Sequence, residues 1–344
     1  MKWFALCISL CLCSTLAAFG TADLRLLGGG ASFPKAIYQR WAADYEASAP
    51  GTSIEYSSQG SGFGIAGIIN KTLDFAGSDA PMTKSEITKA GAPVVQVPSV
   101  AGAVVLAYNL PGIAGDLNLS GDIIADIYLG TILKWNDDRI AKKNPGLALP
   151  DLAITPVYRS DASGTTYVFT SYLATQSKEF VKASPPGKNI TIAGGQAGKG
   201  NEGVSNTIQK IPGALGYVEL TYAINEKIPF AAIENKSGKF VKASPASVSK
   251  AGESAESLTS RIWNSANPEA YPISSFTYLI VYKDLGYMQD PAKAKATVAF
   301  LRHAVTTGQS AAPDLSYAPL PAGVRAKALE AIGTLTFGGN PIGG

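Results

Sequence analysis

The run Val94-Val-Gln-Val-Pro-Ser-Val-Ala-Gly-Ala-Val-Val-Leu-Ala-Tyr108 decides the fold. Its β-branched, apolar content reads as strand. It is too long for one ordinary strand, and Pro98 and Gly102 interrupt it. A run of this kind reads as a crossover between two domains. Tyr271-Pro-Ile-Ser-Ser-Phe-Thr-Tyr-Leu-Ile-Val-Tyr282 reads as the return. The expected division is a first lobe of residues 23–103 and 275–344 and a second of residues 104–274, preceded by an export segment at 1–22.

Strand-like and helix-like segments alternate on both sides of the crossover. Leu24–Leu27, Thr52–Tyr56, Leu73–Ala76, Ile154–Tyr158, Ala214–Val218 and Ser274–Tyr282 read as strands. Lys35–Ser48, Ile65–Ile69, Gly121–Leu129, Asp138–Lys143, Thr165–Ala174, Val204–Lys210, Ala292–Thr307 and Ala322–Leu335 read as helices. Ile37, Trp41 and Tyr45 fall on one stripe of the first helix. The alternation argues for an α/β fold with largely parallel sheets. Ligands of such sheets sit off the carboxyl ends of the strands.

Four loops at that end share one build. In Arg159-Ser-Asp-Ala-Ser-Gly-Thr165 a fixed positive charge is followed by small residues that open a helix. Ser163, Gly164 and Thr165 are expected as its first residues, with unpaired backbone N–H groups suited to a small oxyanion. A planar guanidinium suits phosphate or carboxylate better than an ammonium does. The plainer reading is a capped helix beside a surface arginine. Gly28-Gly-Gly-Ala-Ser-Phe-Pro34 offers Ser32 as a helix N-cap and Pro34 as first helical residue. Gln59-Gly-Ser-Gly-Phe-Gly64 has glycines that admit close backbone approach. Asp74-Phe-Ala-Gly-Ser-Asp-Ala-Pro81 leads into Thr83-Lys-Ser-Glu86, a capping-box pattern.

Residues 1–22 read as a secretory signal, with Lys2 before the apolar Trp3–Leu12 and Gly20-Thr21-Ala22 as a small-x-small cleavage site. The apolar run is short for a membrane span. All three cysteines, Cys7, Cys11 and Cys13, lie in this segment. A mature chain without cysteine would have no disulfide, thiol nucleophile or thiolate-bound metal. Neither Cys11 nor Cys13 follows a small residue, which argues against a lipid anchor. Lys and Arg total 29 against 26 acids, and no basic run is interleaved with aromatics, so no nucleic-acid partner is expected. His303 is the only histidine and sits in a helix-like run near the C-terminus. A Ser-His-Asp triad needs its histidine in the cleft, and a metal hydrolase would need almost all-carboxylate ligands. Gly198-Lys199-Gly200 lacks the Ser or Thr of a P-loop.

Six motifs, in order, carry a family resemblance: Gly-Gly-Ala-Ser-Phe-Pro (29–34), Gly-Ser-Gly-Phe-Gly (60–64), Asp-Phe-Ala-Gly-Ser-Asp-Ala-Pro (74–81), Ile-Tyr-Leu-Gly (127–130), Arg-Ser-Asp-Ala-Ser-Gly-Thr (159–165) and Pro-Gly-Ala-Leu-Gly-Tyr-Val-Glu (212–219). From Leu24 to its end the chain resembles the periplasmic phosphate-binding proteins of bacterial ABC phosphate importers. The resemblance implies two α/β lobes of the type II periplasmic-binding-protein class, joined by two crossover strands that form the hinge. It implies a monomer that binds inorganic phosphate and delivers it to the transmembrane permease subunits of an ABC importer, with no cofactor, metal or catalysis. Carried over by position, Ser32, Phe33, Ser61, Asp79, Arg159, Ser163, Gly164 and Thr165 would hold phosphate, and Asp161 would hold Arg159. Ser32 stands where the family often has threonine. Gly62 and Phe63 stand where it often has serine and glycine.

Asp79 would be the selective residue. It can accept the proton that phosphate still carries, whereas it would meet sulfate lone pair to lone pair. Three rival readings keep the sequence but change the role: a binder of another tetrahedral oxyanion, an exported phosphate-handling hydrolase, and an adhesion protein on the same fold.

Overall fold

The computed structural model describes residues 24–113 and 116–343. The expected export segment lies outside the described residues. One sheet of eight strands runs through the molecule. Its strands are, in chain order, β1 (Leu24–Gly30), β2 (Thr52–Ser58), β3 (Phe75–Ser78), β4 (Val94–Tyr108), β5 (Thr155–Arg159), β6 (Gln196–Gly198), β7 (Ala214–Glu219) and β8 (Ser274–Tyr282). They lie side by side as β2-β1-β3-β8-β4-β7-β5-β6. β1, β2 and β3 are mutually parallel, as are β5, β6 and β7. The two central strands run antiparallel to their neighbours.

The central pair gives the protein two halves. β4 pairs with β8 as far as Ala103 and with β7 from Val104 onward. A single strand therefore lends its first part to one parallel sheet and its last part to the other. β4 is buried from Val97 to its end and β8 along its whole length. Burial on both faces explains why these two segments read as continuous apolar runs. The fold is that of a two-lobed periplasmic binding protein.

The expected interruptions of β4 do not break it. The strand is continuous over 15 residues. Thr277 lies opposite Val100 and Tyr278 opposite Pro98, so Ser99 bulges out of register. The bulge absorbs Pro98, which has no N–H to give the ladder. Ser99 Oγ then shares a hydrogen bond of 2.7 Å with Tyr38 Oη and donates to the Thr277 carbonyl at 3.2 Å. Gly102 is required for a different reason: a Cβ there would strike the Phe33 ring at 2.6 Å.

Helix Lys35–Ser48 has the expected span and buries Ile37, Tyr38, Trp41 and Ala42. Tyr45 is only half-buried, beside Phe300 and His303. Trp41 Nε1 donates to the Gly308 carbonyl at 2.7 Å and ties the helix to the C-terminal segment of the same half. In the other half Phe169 stacks on Tyr217 at 4.2 Å between ring centres, and Tyr128 meets Phe169 edge-on at 4.8 Å. These rings seat helix Gly164–Leu173 against β7. Among the described residues no helix is long and apolar enough to cross a membrane.

Candidate functional site

All four loops lie beyond carboxyl ends of strands, with Ser32 after β1, Ser61 after β2, Asp79 after β3, and Asp161 to Thr165 after β5. Because the two parallel sheets flank an antiparallel pair, the loops of one half face those of the other. The contact is close. A Cβ on Gly164 would overlap Ser61 Oγ and the Asp79 carboxylate. The Gly62 N–H donates to the Ala162 carbonyl at 2.8 Å, and a Cβ on Gly62 would collide with Ala162. The halves are therefore shut on one another.

Arg159 ends β5 and is almost fully buried. Its Nε donates to Asp161 Oδ1 at 2.8 Å, Nη2 to Asp161 Oδ2 at 2.5 Å and Nη1 to Thr165 Oγ1 at 3.1 Å. An arginine side chain has five N–H groups. Asp161 also accepts the Gly200 N–H at 2.9 Å. Burial pushes the Asp161 carboxyl up, but the Arg159 fork, its charge and the Gly200 N–H outweigh it and hold it below the usual carboxylate range.

Ser163 is the N-cap of its helix rather than its first residue: its Oγ accepts the Thr166 N–H at 3.1 Å. The helix begins at Gly164 because the Ser163 backbone is still extended. Its own N–H is already given to the Lys188 carbonyl at 2.8 Å. Of the three expected backbone donors, Gly164 and Thr165 therefore remain without an acceptor among the described residues, while Ser163 keeps its hydroxyl proton. Ser32 differs from expectation as well. The N-cap position of the first helix is Pro34, with no side-chain cap, and Lys35 is the first helical residue. The Ser32 hydroxyl is drawn instead to Asn201 of the other half, where it accepts the backbone N–H at 3.2 Å and Nδ2 at 3.0 Å. The Tyr222 hydroxyl donates to the Ser32 carbonyl at 2.8 Å. The Phe33 ring is buried and its carbonyl accepts from Tyr317 Oη at 2.7 Å. Among the described residues nothing accepts the backbone N–H of Ser32, Phe33 or Ser61.

Asp79 is the one acidic group at the centre of these donors. Oδ1 accepts from Thr277 Oγ1 at 2.7 Å, and the Asp79 N–H donates to Ser61 Oγ at 3.1 Å. Oδ2 is buried with no hydrogen-bond partner among the described residues. Burial pushes the carboxyl up to about 7, against the lowering effects of the Thr277 hydroxyl and the Arg159 charge. A cavity of about 320 Å³ reaches Asp79 along Met82, Tyr167, Arg261, Trp263 and Tyr278. A second cavity of about 290 Å³, between Lys35, Glu202 and Tyr222, lies outside the cluster.

The structure thus brings Ser32, Ser61, Asp79, Arg159, Ser163, Gly164, Thr165 and Asp161 together, with the Phe33 backbone beside Ser32. Sequence reasoning missed Asn201, Thr277 and Tyr222. The failed P-loop match at Gly198-Lys199-Gly200 was a local signal for Asn201, since it marked another glycine-rich strand-to-helix turn. Nothing local marks Thr277, which lies inside β8. His303 lies apart, hydrogen-bonded to Thr307 at 3.0 Å and packed on Tyr45. Among the described residues no group of three or more His, Cys, Asp or Glu is placed to hold a metal. Chemically, the cluster is a buried cradle of N–H and O–H donors and one guanidinium, with Asp79 Oδ2 as its unpaired acceptor among the described residues. It fits a small anion that retains one proton.

Comparison with known proteins agrees with this class. A family model described as the PBP superfamily domain matches residues 17–305. The chain is 42% identical over 307 residues to the phosphate-binding protein PstS of Xylella fastidiosa, covering 88% of this chain and 83% of that one. It is 41% identical over 310 residues to PstS of Pasteurella multocida, covering 88% of each. It superimposes with a TM-score of 0.69 and 21% identity on a phosphate-bound, high-affinity periplasmic phosphate-binding protein, PfluDING, covering 91% of this chain and 99% of that one. The chain belongs to the PstS phosphate-binding protein family of the PBP superfamily.

Proposed function

We propose that this protein binds inorganic phosphate in the periplasm and delivers it to the membrane subunits of an ABC phosphate importer. The observation that carries the reading is Asp79 Oδ2, a buried acceptor with no hydrogen-bond partner among the described residues, beside Ser61, Gly164 and the Arg159 charge. In the reading, Arg159 presents its remaining N–H groups to phosphate oxygens. Ser32, Ser61, Ser163 and Thr165 add hydroxyl protons. Phe33, Gly164 and Thr165 add backbone N–H groups, those of the last two at a helix N-terminus that favours negative charge. Asp79 takes the phosphate proton. Both halves contribute, so binding selects the shut arrangement, and a permease can read that state.

The lobes are residues 23–103 with 275–344, and residues 104–274. The relatives are phosphate-binding proteins, which supports a carrier role for the chain. Residues 1–22 direct its export.

Sulfate at neutral pH has no proton to give Asp79. An unmet buried acceptor costs about 1–3 kcal/mol, more when charged. With about 1.4 kcal/mol per tenfold, discrimination of about a hundredfold follows. The test is calorimetric titration of ligand-stripped mature protein with phosphate and then sulfate at pH 8. One tight phosphate site and no sulfate heat is the expected result. Equal binding of both would overturn the role of Asp79. Silence with both, from folded protein, would overturn phosphate binding itself.

A further inference from the structure

Asn201 occupies the first turn of helix Gly200–Lys210 and is fully buried. Its Oδ1 accepts the Glu219 backbone N–H at 3.1 Å, which settles which end of the amide is oxygen. Nδ2 therefore faces the cleft. One of its protons points to Ser32 Oγ at 3.0 Å and the other to Thr165 Oγ1 at 3.3 Å. The Asn201 backbone N–H adds a second bond to Ser32 Oγ at 3.2 Å. Thr165 Oγ1 also has a second donor, Arg159 Nη1 at 3.1 Å.

A hydroxyl has two lone pairs and one proton. Ser32 Oγ receives two donors, both from Asn201. Thr165 Oγ1 receives two, one of them from Asn201. With both lone pairs engaged, each hydroxyl can act further only as a donor, and its proton must find a third group. Left without those partners, a serine or threonine hydroxyl rotates freely and can turn its proton to a nearby carbonyl instead.

We infer that Asn201 sets the polarity of the anion site: it commits the hydroxyls of Ser32 and Thr165 as donors to the bound anion. Ser32 and Asn201 belong to opposite halves, so the commitment of the Ser32 hydroxyl exists only when the halves are shut, whereas Thr165 shares a half with Asn201. Asn201 thereby links closure to the donor character of the site, and it is a positioning residue that need not touch the ligand. It leaves Asp79 as the only strong acceptor in the cradle and so sharpens the choice of an anion with one proton. The inference rests on the phosphate-binding reading.

The test is a double-variant cycle by calorimetry with inorganic phosphate, on ligand-stripped full-length mature protein at pH 8. The variants are Asn201→Ala, Ser32→Ala, Ser61→Ala and the pairs of Asn201→Ala with each serine change. Asn201→Ala should weaken binding about ten- to a hundredfold, the value of a lost hydrogen bond to a charged group. Adding Ser32→Ala to it should cost clearly less than Ser32→Ala costs in the wild type, because the hydroxyl has lost the side-chain donor and keeps only the residue 201 backbone N–H to orient it. Adding Ser61→Ala should instead multiply the two losses, since Ser61 takes no bond from Asn201.

Asn201→Asp gives a second measurement if the alanine variant does not fold. It keeps the shape and the acceptor for Glu219 N–H but replaces the donor with an acceptor. It should bind phosphate more weakly than Asn201→Ala does. Full multiplication of the Ser32 and Asn201 losses would overturn the inference, as would wild-type affinity in Asn201→Asp. A wild-type chain that fails to bind phosphate would overturn the underlying reading and the inference with it, and that outcome shows before any variant is made.

Discussion

Asp161 holds Arg159 by two parallel hydrogen bonds, Nε to Oδ1 at 2.8 Å and Nη2 to Oδ2 at 2.5 Å, and fixes the plane in which the guanidinium enters the cleft. A lysine cannot reproduce that fork. Arg159→Lys should weaken phosphate binding about tenfold to a hundredfold, the value of a hydrogen bond to a charged partner. Titration calorimetry checks it, with the melting temperature of the ligand-free protein as a control for folding. The Asp161 carboxyl is depressed in the folded protein, so its contribution to stability is present above the unfolded value near pH 4 and is lost as pH falls through the folded value. Asp161→Asn should remove that acid-side loss.

Asp79 behaves in the opposite sense. Its carboxyl is pushed up to about 7 by burial. A raised carboxyl leaves stability untouched below about pH 4 and subtracts from it progressively as pH climbs toward 7. Ligand-free protein should therefore melt at lower temperature at pH 8 than at pH 5, and Asp79→Asn should flatten that trend. Selectivity moves with the same proton. Below pH 7 the carboxyl turns from acceptor to donor, so the phosphate-to-sulfate ratio of affinities should narrow as pH falls from 8 to 5. In Asp79→Asn the ratio should be small at every pH. A ratio in the wild type that does not change with pH would count against Asp79 as the proton acceptor.

Gly164 is a point where the halves meet tightly, since a Cβ there would overlap Ser61 and Asp79. Gly164→Ala leaves each half free to fold, because alanine is a better helix former than glycine. It should hold the cleft ajar and weaken phosphate binding by at least about a hundredfold, while the ligand-free melting temperature stays within a few degrees. Small-angle scattering with and without phosphate should show the wild type contract and the variant remain open. Wild-type affinity in the variant would show that the halves need not close this far.

Glu219 is buried where β7 meets β4, beside the Thr221 N–H at 2.9 Å and the Thr221 hydroxyl at 3.2 Å. Burial pushes its carboxyl well above the usual range. A group raised in the folded state is best tolerated neutral. Glu219→Gln should therefore fold as well as the wild type at pH 5 and melt higher than it at pH 8, since the amide carries no ionisation penalty. Glu219→Ala should instead lose about 1–3 kcal/mol at both, because the buried Thr221 N–H is left unmet. Chemical denaturation at the two pH values separates these outcomes.

Local sequence was sufficient wherever a residue's role is set by its neighbours along the chain. Helix Lys35–Ser48 follows from its apolar spacing, and the Thr83–Glu86 capping box from its four residues. Arg159 and Asp161 are two residues apart, so their fork could be anticipated from the motif. The long apolar runs of β4 and β8 marked the two segments that cross between the halves, but not that β4 continues unbroken through Pro98 and Gly102.

What the sequence by itself determined, then, was the elements, the class of fold and the loops that carry the polar residues. The tertiary structure decided the partners. Thr277 lies 198 residues from Asp79, and Asn201 lies 169 residues from Ser32, yet each pair is joined by hydrogen bonds. The bulge at Ser99 depends on the register of a strand that returns from far along the chain. Propensity and spacing act over a few residues, whereas these contacts exist only once two separately built halves close on each other. The direction in which the Ser32 hydroxyl points and the proton affinity of Asp79 are properties of that closed, water-excluded interior. No single stretch of the chain contains them.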